Sequence, residues 1–136
     1  MSNRARKAVK LLAPTTYTAN QTAAKGDWVR ITEIRPPFIV VLKTKNGGAT
    51  APTTPSINVD AEFGVGKEND ADADIFPTGT PNDVVGPTIS AVGDKAAMGT
   101  SLATQGGIFA RANIDISFTT PADGTTVEAW LVGNAT

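Results

Sequence analysis

Three aspartates at alternate positions, Asp70, Asp72 and Asp74 in "KENDADADIF", are the residues whose spacing comes nearest to metal chemistry. They fill the first, third and fifth places of a calcium loop, where carboxylate oxygens converge on a hard cation. Such a loop needs glycine at its sixth place and glutamate at its twelfth, and this chain has Ile75 and Pro81 there. The segment therefore reads first as a solvated acidic loop; salt bridges to a neighbouring subunit and a weak divalent-ion site are the alternatives. Asp60, Glu62, Asp115 and Glu128 lie on expected strands, where two carboxylates could in principle meet as in glycoside hydrolysis. Acids alternating along a strand usually mark its wet face, and nothing around these four singles out a catalytic pair.

The rest of the composition removes most other chemistry. With no histidine there is no imidazole base or ligand. With no cysteine there is no disulfide, thiolate metal site or thiol nucleophile. Serine and threonine have no evident base, and no nucleophile elbow or phosphate-cradling glycine motif is present. The expectation is a protein that is not an enzyme and holds no cofactor. Trp28, Trp130 and Tyr17 suggest sugar stacking, with packing in a core or interface as the favoured alternative. Trp130 is out of phase with Val127, Ala129 and Leu131, so it belongs to the opposite face of its strand. Trp130 and Phe109 are the candidates for a subunit interface or ligand contact.

Charge is distributed unevenly. The net charge is −1, yet through Lys45 there are nine cations and two carboxylates, and afterwards three cations and eleven carboxylates. No acid precedes Asp27, and Arg4, Arg6, Lys7 and Lys10 are interleaved with alanine, valine and leucine. Residues 1–26 read as a docking arm: a turn or two of helix ending at Pro14, then "TTYTANQTAAKG", too poor in large apolar residues to build a core. An acidic neighbour suits this arm, and a copy of the protein's own body would serve. Nucleic acid is disfavoured because the body is acidic, and a membrane because the arm's apolar face is too small.

These residues must be positioned by strands. A chain of 136 residues with 40% hydrophobic and 18% charged residues can bury one core, but is short of the charge that solvated helices carry. "DWVRITEI" and "PFIVVLKTK" are strand-like and separated by Arg35, Pro36 and Pro37; "INVDAEFGV" alternates cleanly. Residues 66–86 read as a long excursion with a short strand near Ile75 and Phe76, "GPTISAV" as a short strand, and "GDKAAMGTSLATQGG" as a second connection. "GIFARANIDISFTT" and "TTVEAWLVG", joined by "PADG", read as a terminal hairpin. The expected fold is all-β: an antiparallel β-sandwich of jelly-roll or immunoglobulin-like type over residues 27–136, with an open barrel as runner-up. No run approaches the roughly 20 apolar residues of a membrane helix, so a soluble protein made in a cytoplasm is expected.

The basic, threonine-rich lead "TANQTAAKGDW", the short strands rich in alanine, threonine and glycine, and the ending "AWLVGNAT" resemble the small virion proteins of tailed bacteriophages, most nearly the capsid decoration, or cement, proteins. That resemblance implies a β-rich body on the outer face of an icosahedral capsid, often trimeric, bound to the major capsid protein by an extended arm, with no catalytic residues. On this reading Arg4, Arg6, Lys7 and Lys10 bind acidic capsid surface while Leu11, Leu12 and Tyr17 are apolar anchors. A tail or fibre component with a sugar-binding role centred on Trp130, and a host-encoded binding module, are the alternatives.

Overall fold

The alternation of apolar and polar side chains becomes ladder pairing in a computed structural model that describes residues 5–67, 69–78, 82–99 and 107–136. The strands are β1 (Arg6–Tyr17), β2 (Gln21–Lys25), β3 (Val29–Arg30), β4 (Ile34–Asn46), β5 (Ser56–Val65), β6 (Phe76–Pro77), β7 (Thr88–Ile89), β8 (Lys95–Met98), β9 (Phe109–Ser117) and β10 (Thr125–Ala135). Among the described residues there is no α-helix, only a 3-10 turn at Asp72–Asp74. The first sheet has the order β1-β10-β4-β8. The second has the order β2-β9-β5-β6, with β3 also on β9 and β7 also on β5. Every pairing is antiparallel, as expected for an all-β chain.

Both sheets turn one face to a shared interior. Val40, Leu42 and Leu131 from the first meet Ile57, Val59 and Ile114 from the second in one apolar cluster. The apolar run Phe38–Leu42 lies in β4, a central strand of its sheet: Phe38, Val40 and Leu42 point inward, while Ile39 and Val41 take the other face.

Residues 6–25, expected to order on another molecule, are instead part of both sheets. β1 is not helical but pairs with β10 from Arg6↔Asn134 to Tyr17↔Thr125. A bulge between Lys10 and Leu12 lets two successive leucines face the core, with Leu11 4% exposed and Leu12 packed against it. A second irregularity between Leu12 and Thr15 accommodates Pro14, which has no N–H to donate to a ladder. Beyond Tyr17 the chain passes to the second sheet, where β2 pairs with β9. Helix propensity in so short a segment is weak, and a ready partner strand outweighs it.

Three further expectations change. The prolines do not end a strand: β4 runs through Arg35, Pro36 and Pro37, with the extra residues absorbed as a register shift against β10. "DWVRITEI" yields the two-residue β3 and, at Ile34, the start of β4, whereas β8 lies inside a segment expected to be a connection. The terminal hairpin does not form, because β9 belongs to the second sheet and β10 to the first. The connection is instead fastened to the loop after β4, where the Thr50 amide donates to Asp123 Oδ2 at 2.7 Å and the Gly47 amide to the Gly124 carbonyl at 2.9 Å.

Candidate functional site

The inward packing of β10 determines what the first sheet shows to solvent. Val127, Ala129 and Leu131 are fully buried, so Thr126, Glu128, Trp130 and Val132 lie on the outer face. Ladder register then sets their neighbours. One row runs Lys10, Trp130, Val41, Met98 across β1, β10, β4 and β8. The row on one side is Ala8, Val132, Ile39; on the other, Glu128, Lys43 and Ala96 are aligned, and beyond them Thr126 faces Lys45.

Trp130 is the half-buried centre of this face. The Lys10 ammonium lies 5.6 Å and the Lys43 ammonium 5.8 Å from its ring centroid, within cation–π range. Lys43 also reaches Glu128 at 3.7 Å. Arg6 donates to Asn134 Oδ1 at 2.9 Å at one margin. Beside the aromatic row is an open groove of about 410 Å³ lined by Pro14, Lys43, Thr44, Lys45, Asp94, Lys95, Ala96, Thr126 and Glu128. Met98 is 62% exposed at the edge. The face thus combines an apolar, aromatic centre with Arg6, Lys10, Lys43 and Lys45, against which stand Glu128 in the paired rows and Asp94 in the groove. Such a surface can bury apolar area while pairing with anions, the chemistry of docking to an acidic protein.

The residues expected to act as an arm are distributed differently. Lys10 is on this face and Arg6 at its margin, but Lys7 binds Glu33 at 2.6 Å and thereby holds that carboxyl below its usual range. Leu11 and Leu12 are committed to the interior, and Tyr17 packs against it, where burial raises its phenol pKa. Arg4 lies outside the described residues. Phe109 is buried within the chain opposite Gly64, so it offers no ligand surface. Lys43, Val41, Val132 and Met98 were not foreseen as site residues; the phase of β4 relative to Phe38, Val40 and Leu42 is the signal that would have found Lys43.

The outer face of the second sheet is not wet, contrary to the expectation for alternating acids. Asp60 and Glu62 are both buried, Glu62 to 2% exposure: Val84 bridges Ala61 between them, the Gly86 amide reaches Asp60, and the Lys25 side chain of β2 extends across β9 to Glu62. Arg111, opposite Glu62 in the β5–β9 ladder, donates to it at 2.7 Å, and Lys25 donates to its other oxygen at 3.1 Å and to Asn113 at 2.9 Å. The Arg111 guanidinium stacks on Trp28 at 4.2 Å from the ring centroid. Burial works against ionisation of Glu62, but the hydrogen bonds and charges of Arg111 and Lys25 together outweigh it and hold the carboxyl below the ordinary glutamate range. This carboxylate is an acceptor occupied by two cations, suited to fastening β2 onto β5 rather than to proton transfer.

The other carboxylates do not complete a reactive pair around it. Asp60 Oδ1 accepts from the Gly86 amide at 2.7 Å, and Asp115 Oδ1 from the Ala23 amide at 2.9 Å, while Glu128 is on the other sheet. Asp72 and Asp74 stand in the 3-10 turn, and Asp70 accepts from the Lys67 amide at 2.6 Å. Among the described residues no three carboxylates come together as a metal-binding group. No helix among them is long and apolar enough to cross a membrane. Compared with protein-family models, with curated proteins and with solved structures, the chain matched none.

Proposed function

We propose that this chain is a non-enzymatic virion structural protein that binds and reinforces the outer surface of a phage capsid, with the outer face of the first sheet as its protein-docking surface. The two sheets are read as a β-sandwich, in which the outer face of the first is available for docking. The observation that carries the reading is Trp130 at the centre of an exposed sheet face, between Lys10 and Lys43 and beside Val41, Val132 and Met98. Interface centres are rich in aromatic residues and methionine, and a basic surround selects acidic partners. The major capsid protein is the proposed partner and the capsid exterior the proposed location. The arm no longer serves as the anchor in this reading, since its apolar residues are occupied within the chain.

The test is co-sedimentation of the purified protein with heads assembled from the major capsid protein of its own virion. Saturable binding is expected, with at least a tenfold loss for Lys10→Glu/Lys43→Glu. Absence of binding by the wild type, or unchanged occupancy by the variant, refutes the reading.

A sugar-binding module is the second reading, favoured by the groove along Lys43 and Glu128, the outward row next to that of Trp130. A sugar ring stacking on the indole would have to displace the lysine ammonium groups held near it, each worth about 0.5–1 kcal/mol at an exposed site. A saturable glycan-array signal abolished by Trp130→Ala would favour it over capsid docking.

A further inference from the structure

Asn46, the last residue of β4, is the one asparagine of the chain that is followed by glycine. Such a pair carries the means of its own modification. The glycine nitrogen, unshielded by a β-carbon, attacks the asparagine side-chain carbonyl carbon. A new N–C bond forms, the C–NH2 bond breaks and ammonia leaves; water then opens the succinimide to aspartate or isoaspartate. The fold requires this labile pair. A β-carbon on Gly47 would overlap the Asp123 carbonyl and come within 2.7 Å of Thr16 Cγ2, so the position admits only glycine. Asn46 in turn accepts from the Gly93 amide through Oδ1 at 3.0 Å.

The same contacts restrain the reaction. The attacking nitrogen is committed, since the Gly47 amide donates to the Gly124 carbonyl at 2.9 Å. Asn46 is paired with Thr125 in the β4–β10 ladder, which fixes the backbone that must rotate for the ring to close. Asp123 clamps the residues that follow: its amide donates to the Thr50 carbonyl at 3.2 Å, its Oδ2 accepts from the Thr50 amide at 2.7 Å, and its side chain lies over Gly48. We infer that Asn46–Gly47 is a self-modification site gated by the clamp of Asp123 and Gly124 on residues 47–50, intact while the clamp is closed and converted when it opens. Gly47, Gly48, Ala49, Thr50, Ala122 and Asp123 are all exposed, so the clamp opens at far lower cost than the shared core. Isoaspartate adds a carbon to the main chain, and the strand end can then no longer meet Thr125 and Gly124 in register. Opening is thereby made permanent. The site governs the chemical lifetime of the chain and is independent of what the outer face binds.

The experiment incubates the purified full chain in mildly alkaline buffer and follows conversion by mass spectrometry, with peptide mapping that resolves isoaspartate. Wild type in urea should convert at Asn46 roughly tenfold or more faster than native wild type, while the other asparagines stay intact over the same period. Native Asp123→Ala, held well below its own melting temperature, should convert several-fold faster than native wild type, and hydrogen exchange at the Gly47 amide should quicken in parallel. Where Asp123→Ala does not fold, Thr50→Pro replaces it, because proline lacks the amide from which Asp123 accepts. Asn46→Gln should abolish the conversion. No conversion in urea, or conversion that persists in Asn46→Gln, would remove the site. Equal rates in urea and in the native state would remove the restraint by the fold, and a folded clamp variant that converts at the wild-type rate would remove the gate.

Discussion

Lys10 stands directly opposite Trp130 in the ladder between β1 and β10, with its ammonium 5.6 Å from the centre of the indole ring. The N-terminal strand thus delivers its cation to the chain's own outward-facing, half-buried tryptophan. Because Trp130 is on the solvent side of β10, Trp130→Ala should cost only about 1 kcal/mol of folding free energy. Thermal melts should show a small shift, and co-sedimentation with heads should fall sharply.

The apolar residues of the same strand behave oppositely. Leu11 is buried in the shared core, so Leu11→Ala should cost about 2–5 kcal/mol, seen as a lower urea midpoint at unchanged slope. Deleting residues 2–20 should abolish the cooperative transition, since β10 would lose the partner along one whole side. A truncated chain that melts like the wild type would mean that β1 contributes nothing to the fold.

Glu62 should make stability depend on acid. Its carboxyl is held below the ordinary value of about 4.3, so the native state binds its proton less readily than the unfolded chain. The contribution is complete above that value and is lost as pH falls through the folded-state pKa. Glu62→Gln should lower stability at neutral pH by about 2 kcal/mol, less than a fully buried pair would lose, because Lys25 and Arg111 remain partly solvated. The variant should also show a shallower decline from pH 7 to about pH 3 in denaturant titrations.

Gly124, in the connection between the sheets, has a φ of +74°, and a β-carbon there would overlap the Tyr17 carbonyl. Gly124→Ala therefore combines backbone strain with a steric clash, and a loss of about 2 kcal/mol or more is expected in equilibrium unfolding.

Much of the fold was legible in local pattern. The clean alternation of residues 57–65 became β5, and that of residues 108–119 became β9. The absence of an α-helix among the described residues followed the scarcity of charge and of helical periodicity. The site was half legible: phase alone placed Trp130 on the outer face, but Lys10 and Met98 come from strands distant in sequence and reach it only through register. The hairpin expectation failed because a turn motif reports local backbone geometry and not which strand will be the partner.

Alternation along a strand is written in neighbouring residues, so the sequence by itself determined which side chains share a face, that the chain would be built of strands, and that imidazole and thiol chemistry are absent. Partner choice depends on burial summed over residues far apart. The tertiary structure alone decided that the basic leader belongs to both sheets, that β9 and β10 part company, and that Asp60 and Glu62 are covered rather than wet. A leucine pair with too little apolar surface to fold alone becomes core once β10 lies beside it.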